Sequence, residues 1–234
     1  SDNFFGNISE VAIYNSALSI NQVKTIYNGR EPYNHKEGVA SGNLKAWYRM
    51  GDGSLDDFNL IGDETNATKG NNLTTNGDLS SGDLTGWTHH ETYQFDTVEY
   101  DSGSIHVVSN GSNEGGNYQS VINTLSTPVL KNKVYEISYD ITVNSGSMRI
   151  NVMNGPVANQ IGYSFIHTSS TSVKTTFIAN SNADNTTATH GVEIYTPIGT
   201  AADINLDNVS LKLVNGNAGV MTNMDIVDIE GDTP

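Results

Sequence analysis

Val134-Tyr135-Glu136-Ile137-Ser138-Tyr139-Asp140-Ile141-Thr142-Val143 alternates without a break. Tyr135, Ile137, Tyr139, Ile141 and Val143 fall on one side of a two-residue repeat, while Glu136, Ser138, Asp140 and Thr142 fall on the other. That is the signature of a half-buried β-strand, with its apolar side turned to a core. Met148, Ile150 and Val152 resume the alternation after Asn144-Ser145-Gly146, which predicts an antiparallel hairpin carrying Arg149 and Asn151 on its opposite face. Further strands are predicted near Ser104 to Val108, Gln119 to Asn123, Ile161 to His167, Val173 to Ala179 and Gly191 to Tyr195. Eight or so short strands punctuated by turn residues make an all-β fold of two packed antiparallel sheets.

Working outward, the segment Ile204-Asn205-Leu206-Asp207-Asn208-Val209-Ser210-Leu211 shifts its inward set from Ile204 and Leu206 to Val209, Leu211 and Leu213, so a bulge is predicted at Asp207-Asn208. At the other end stand Asn72-Leu73-Thr74-Thr75-Asn76-Gly77-Asp78-Leu79 and Gly82-Asp83-Leu84-Thr85-Gly86-Trp87. An opening of this form with such a close resembles the jelly-roll β-sandwich of carbohydrate-binding modules of the 4/9/22 type, and brackets one domain over residues 72–214. The resemblance implies that Trp87 packs in the core. It also implies a structural calcium between the first and last strands, with Asp207 as a ligand. Ser80 stands where the family carries an acidic residue, which leaves Asp78 as the compensating ligand.

Residues 1–30 read as a strand through Phe5, Ile8, Val11, Ile13 and Tyr14, followed by a short amphipathic helix. Ser19-Ile20-Asn21-Gln22 fits a capping box, Val23, Ile26 and Tyr27 follow at helical spacing, and Gly29 supplies the stop. The block from Phe5 to Ser19, ending in Ile26-Tyr27-Asn28-Gly29, resembles the last strand and helix of laminin-G-like, concanavalin-type sandwiches. Such a domain needs many earlier strands, so the chain is expected either to be the end of a longer polypeptide or to pack this fragment on something else. Residues 31–71 read as a connector with one strand, in which Leu44-Lys45-Ala46-Trp47-Tyr48-Arg49-Met50-Gly51-Asp52-Gly53-Ser54 is similar to the opening strand of another laminin-G-like unit, with Asp56, Asp57 and Asp63 in loops. Residues 215–234 form a Gly-, Asn- and Asp-rich tail, too sparse in apolar residues for a core of its own and expected to be disordered or laid over a neighbouring subunit.

The 234 residues carry a formal charge of -15 and no cysteine. Disulfides, thiolate metal sites and cysteine nucleophiles are excluded, and the acidic balance argues against a nucleic-acid partner. No apolar run is long enough to cross a bilayer and no basic-then-apolar leader opens the sequence, so neither membrane insertion nor a signal segment is expected. Asn-x-Ser/Thr triplets at Asn7, Asn66, Asn72, Asn110, Asn185 and Asn208 are about as many as this composition gives by chance. The histidines, including His89-His90, His106, His167 and His190, show no metal-ligand spacing.

Glycoside hydrolysis needs two carboxylates aimed into one cleft. Glu114, Glu136, Asp140 and Glu193 are acidic and near strands, but no pair stands out, and a non-enzymatic protein is expected. Sugar binding needs aromatic surface for pyranose C–H groups beside amide or charged hydrogen-bonding groups. Trp87, Tyr93, Tyr118, Tyr163 and Tyr195 are available; with Trp87 set aside for the core, Tyr93, Tyr118 and Tyr195 are the ligand candidates, with Arg149 and Asn151 as polar partners. Taken end to end, the joined pieces and the tail Asn217-Ala218-Gly219-Val220-Met221-Thr222-Asn223-Met224 resemble virion structural proteins of tailed marine phages. That implies a non-enzymatic tail, fibre or head-decoration component located in the virion or outside the cell. It would form a homo-oligomer or contact other virion proteins, and use its sandwich for assembly or for surface glycans. The alternative is a secreted bacterial carbohydrate-binding module of a polysaccharide-degrading enzyme or adhesin.

Overall fold

The computed structural model describes residues 10–49, 60–66, 68–89, 95–111, 118–155, 159–184, 189–197, 199–216 and 218–220. Phe5, Ile8, Asp56, Asp57 and the tail beyond Val220 lie outside them. The chain forms two compact units, one of residues 1–69 with 214–234 and one of residues 70–213.

In the first unit, β1 (Val11–Tyr14) is followed by α1 (Ile20–Tyr27), β2 (Leu44–Tyr48) and the short β3 (Leu60–Ile61). The predicted capping box forms: the Ser19 hydroxyl oxygen accepts from the Gln22 N–H at 3.3 Å, and the Ser19 N–H donates to Gln22 Oε1 at 2.8 Å. Asn28 closes the helix in the left-handed conformation, with Gly29 following at φ 67°. β1 pairs antiparallel with β2, Val11 opposite Tyr48 and Ala12 opposite Trp47. The loop after β3 is fastened to β2 by a fully buried carboxylate, because Asp63 Oδ1 accepts from the Trp47 N–H and the Thr65 N–H at 3.0 Å and from the Thr65 hydroxyl at 2.7 Å. Residues Gly219–Val220 return to pair antiparallel with β3.

The second unit is an all-β jelly-roll sandwich. Its strands are β4 (Thr68–Asn72), β5 (Trp87–His89), β6 (Thr97–Asp101), β7 (Ser104–Asn110), β8 (Tyr118–Thr124), β9 (Val134–Gly146), β10 (Met148–Asn154), β11 (Gln160–His167), β12 (Thr171–Ile178), β13 (His190–Pro197) and β14 (Ala201–Asn215). One sheet has the order β11-β10-β13-β8-β5, and the other β12-β9-β14-β7-β6 with β4 also on β14. The ladders are antiparallel throughout the registers described.

The alternation of β9 sets the core. Tyr135, Ile137, Tyr139 and Ile141 of β9 are buried together with Ile105 and Val107 of β7 and Ile204 and Leu206 of β14. From the facing sheet come Val121, Ile150, Val152, Val192 and Ile194. Each such side chain contributes ~1.5–3 kcal/mol on leaving water, which makes this slab the main source of the unit's stability. Trp87 is buried, as expected, with its indole N–H donating to the Asn76 carbonyl at 3.3 Å.

The predicted bulge is present. Asn208 takes φ 53°, and the buried set of β14 changes parity across Asp207-Asn208. Before the kink, Ala201 to Leu206 pair with β7; after it, the Leu73 N–H donates to the Leu211 carbonyl at 2.8 Å and the Val209 N–H to the Gly77 carbonyl at 2.8 Å. The opening and closing segments are thereby stitched together. Gly77 is required there, since a Cβ would lie 2.0 Å from the Val209 carbonyl oxygen.

The predicted hairpin between β9 and β10 does not form. The two strands belong to different sheets, β9 lying between β12 and β14, and β10 between β11 and β13. Only Ser147 separates them, fewer than the two residues of the tightest common hairpin, so the chain turns a corner between sheets instead. Gly146, at φ 73°, makes the corner where a Cβ would meet the Ala201 carbonyl oxygen at 2.0 Å.

Candidate functional site

Residues that face each other across a ladder share one side of the sheet. On the side of the five-stranded sheet turned away from the core, Ile166 of β11 stands opposite Arg149 of β10, Arg149 opposite Tyr195 of β13, and Tyr195 opposite Ser120 of β8. Tyr118, two residues from Ser120, is diagonal to Tyr195, and the two rings stack with centroids 5.9 Å apart at 27°. The Arg149 guanidinium carbon lies 5.5 Å from the Tyr195 ring centroid, within cation–π range. An Arg-Tyr-Tyr row therefore runs across three strands.

A second row lies two residues along, with Ser164, Asn151, Glu193, Ile122 and Thr88 in register. The outward side of an antiparallel sheet is usually polar and wet, yet here Glu193 is 0% exposed, Ser120 0% and Asn151 2%. Glu193 is held by donors: its Oε1 accepts from the Ser120 hydroxyl at 2.6 Å and its Oε2 from the Asn151 side-chain N–H at 3.1 Å. That second bond fixes the Asn151 amide so that Oδ1 points away from Glu193, and this buried oxygen has no hydrogen-bond partner among the described residues. Arg149 Nε is likewise buried and unpartnered among them. A buried polar atom left unsatisfied costs ~1–3 kcal/mol, so this face of the sheet retains an acceptor and a donor two residues apart at a cost in stability.

Four of the five residues singled out for sugar contact, Tyr118, Tyr195, Arg149 and Asn151, are thus brought together; Tyr93 lies outside the described residues. Ser120 and Glu193 belong to the same face and were not singled out for binding, although each sits two residues from one of the tyrosines and shares its parity. Tyr163 is not available. It is buried in the core, and its hydroxyl meets that of Tyr139 at 2.7 Å, while the Tyr139 hydroxyl also reaches His167 Nε2 at 2.6 Å.

The acidic candidates separate. Glu193 lies on the five-stranded sheet, whereas Glu136 and Asp140 lie on β9 in the other, Glu136 3.9 Å from Lys174 and Asp140 accepting from the Asn208 side-chain N–H at 2.7 Å. Glu114 is outside the described residues. Asp78 and Asp207 come near enough to feel each other's charge: burial, and then Asp140 and Asp78, push the Asp207 carboxyl above its usual range. Asp78 is pulled the other way by the Ser80 N–H and hydroxyl, both of which it accepts through Oδ1. Among the described residues no three carboxylate or imidazole side chains converge closely enough to hold a metal ion.

Fold and site together define an all-β sandwich with an aromatic and polar row on the outer face of one sheet. No family model matches the chain, and no curated protein matches it. Among solved structures it is similar to an apo-form cyclase from Fischerella sp., at 15% identity over 68% of this chain and 100% of that one, with a TM-score of 0.44. The N-terminal cellulose-binding domain of Cellulomonas fimi β-1,4-glucanase C aligns at 22% identity over 54% of this chain and 87% of its own, with a TM-score of 0.40. The enzymatically active domain of bacteriophage CBA120 tailspike protein 4 aligns at 12% identity over 61% of this chain, with a TM-score of 0.42, and the match spans only 21% of the tailspike chain. Likeness at this level brings no function across.

Proposed function

We propose that the sandwich of residues 70–213 is a non-catalytic glycan-binding module whose ligand lies across the Arg149-Tyr195-Tyr118 row. The observation that carries this reading is the pairing of stacked tyrosines with the buried, unpartnered Asn151 Oδ1 and Arg149 Nε beside them. The rings offer apolar surface to pyranose C–H groups, while Asn151 Oδ1 takes a hydroxyl proton and Arg149 gives one or more N–H groups. Catalysis needs a positioned acid and base; Glu193 is engaged by Ser120 and Asn151, and the other acidic candidates on described strands sit on the opposite sheet.

The chain's setting in this reading is a virion component of tail, fibre or head-decoration type, which attaches to surface glycans through this groove. The exposed apolar side chains Ile20, Val23 and Tyr27 of α1 favour that setting over a lone secreted module, because they offer a surface for assembly. Immobilised-polysaccharide electrophoresis and a glycan array test the module itself. Retention of the chain on at least one glycan, weakened about tenfold in both Tyr195→Ala and Tyr118→Ala variants that keep the wild-type melting profile, is the expected result. Absence of retention on every class of glycan, or full retention by both variants, overturns the reading. Light scattering tests the setting: a discrete oligomer is expected for a virion part, and a monomer at micromolar concentration returns the chain to the secreted-module alternative.

A further inference from the structure

Arg149 is set against an aromatic ring and not against a carboxylate. Acidic residues outnumber lysine and arginine by 26 to 11, so a surface cation has a wide choice of carboxylates. Arg49 approaches Glu10 at 3.7 Å, Lys174 approaches Glu136 at 3.9 Å, and even His106 lies between Glu99 at 3.1 Å and Asp203 at 3.0 Å. Arg149 has no carboxylate within ion-pair distance among the described residues; its charge rests on the Tyr195 ring, and its Nε is buried without an acceptor. Glu193, diagonal to Arg149 on the same face, accepts from Ser120 and Asn151 instead. A guanidinium within cation–π range of an aromatic ring keeps its fork of N–H donors, which can receive a carboxylate or sulfate in two parallel hydrogen bonds.

We infer that the groove takes an acidic glycan, with Arg149 receiving the anionic substituent of a sugar whose hydroxyl donates to Asn151 Oδ1. This rests on the glycan-binding reading above. The two contacts are two residues apart on one face of β10, ~7 Å along the strand, about the width of one pyranose ring, so a single sugar carrying both a hydroxyl and an anionic group can meet both. Carboxylate and sulfate share the chemistry Arg149 reads. Asn151, offering an acceptor and not a donor, requires that the ligand also bring a hydroxyl, which separates recognition of an acidic sugar from capture of a bare anion. Long-range electrostatics oppose the event, since the chain's net charge is -15. Binding of a polyanion must therefore come from a local site, and non-specific adhesion is disfavoured.

The test is calorimetric titration of the full chain at two ionic strengths with four probes: polygalacturonate, the same polymer after carboxyl reduction, a sulfated galactan, and inorganic sulfate. The expected result is that one of the acidic polymers binds at least tenfold more tightly than the neutral polymer, that inorganic sulfate alone does not compete, and that Arg149→Lys, which keeps the charge and loses the fork, lowers that preference about tenfold with the melting temperature unchanged. Preference for polygalacturonate assigns a uronate, and preference for the galactan assigns a sulfate ester. Equal binding of acidic and reduced polymers, or binding of the neutral one alone, overturns the acidic-ligand inference and leaves glycan binding standing. Failure of all polymers here, together with a blank glycan array, overturns both. An Arg149→Lys variant that keeps the full preference also overturns the role given to Arg149.

Discussion

Replacing Tyr139 by Phe removes one oxygen from the middle of the sandwich. That hydroxyl meets the Tyr163 hydroxyl at 2.7 Å and His167 Nε2 at 2.6 Å, and all three residues are buried. Two hydrogen bonds of ~0.5–1.5 kcal/mol each are lost, and His167 Nε2 and the Tyr163 hydroxyl each forfeit a partner in a site water does not reach, raising the total to ~2–4 kcal/mol. For a unit of this size 1 kcal/mol moves Tm by ~3–4 °C, so Tyr139→Phe should melt ~6–16 °C lower, while Tyr163→Phe, which leaves the Tyr139 to His167 bond in place, should lose about half as much. The assay is thermal unfolding followed by near-ultraviolet circular dichroism at pH 7.5, with the same series repeated downward in pH. Burial holds the His167 imidazole below its ordinary pKa. The unfolded state therefore binds a proton that the folded state refuses, and this contribution to stability is present above about pH 6.5 and is lost as pH falls toward the lowered folded value. Tyr139 lies on β9 and Tyr163 and His167 on β11 of the other sheet, so a Tyr139→Phe Tm within 3 °C of the parent at pH 7.5 would refute a stabilising role for these bonds between the sheets.

Three further outcomes are expected. Asp207→Asn should raise stability at neutral pH, because the folded carboxyl is pushed above its usual range by burial, Asp140 and Asp78; the gain should shrink to nothing as pH falls through that raised value toward the unfolded ~3.9, and chelator should leave the melting curve of the parent unchanged. A fall in Tm for the variant in millimolar calcium, absent after chelation, would instead establish a calcium site at Asp207. His106→Gln should cost stability chiefly below about pH 6.5, since Glu99 foremost and then Asp203 raise the folded pKa, so that the stabilisation is full at low pH and lost as pH rises through the folded value; equal losses at pH 6 and pH 9 would contradict it. Gly77→Ala should be among the most damaging single changes, costing upward of ~2 kcal/mol, as its Cβ would meet the Val209 carbonyl that closes the sandwich; a chemical-denaturation midpoint unmoved from the parent would mean that the opening segment is not fastened there.

Period-two alternation made the strands legible because one face of each is dry, and it carried enough information to put Tyr135, Ile137, Tyr139 and Ile141 in the core and to place the kink at Asn208. It was silent on which sheet a strand joins. A hairpin and a corner preserve the same alternation on either side of the turn, and only the single residue between Gly146 and Met148 distinguished them. Helix α1 was legible for a different reason: its capping box and left-handed Asn28 stop are local chemistry that needs no tertiary partner.

The groove shows where local reading ends. Arg149 and Asn151 were visible on the face opposite Ile150, and Tyr118 and Tyr195 as aromatics on strands, but their union depends on β13 lying between β10 and β8, a pairing that brings residue 195 beside residues 149 and 120. No periodicity encodes such distant neighbours; the order of strands is settled by the packing of the whole sandwich. Glu193 was weighed only as a catalytic acid and Ser120 not at all, because a polar residue on the outward face of a strand ordinarily means water. Here the same polarity is dry, and a sheet that buries a carboxylate, an amide and a guanidinium edge on its non-core side gives up stability that an apolar face would keep. On the glycan-binding reading proposed above, a ligand completes those hydrogen bonds, and a glycan that binds there should raise the melting temperature of the unit with the logarithm of its concentration over Kd, as binding to the native state alone requires. A glycan shown by calorimetry to bind, yet leaving Tm unchanged at a concentration far above its Kd, would place its site elsewhere on the molecule or equally in the unfolded chain, and the unpartnered Asn151 and Arg149 would then be structural strain without a ligand.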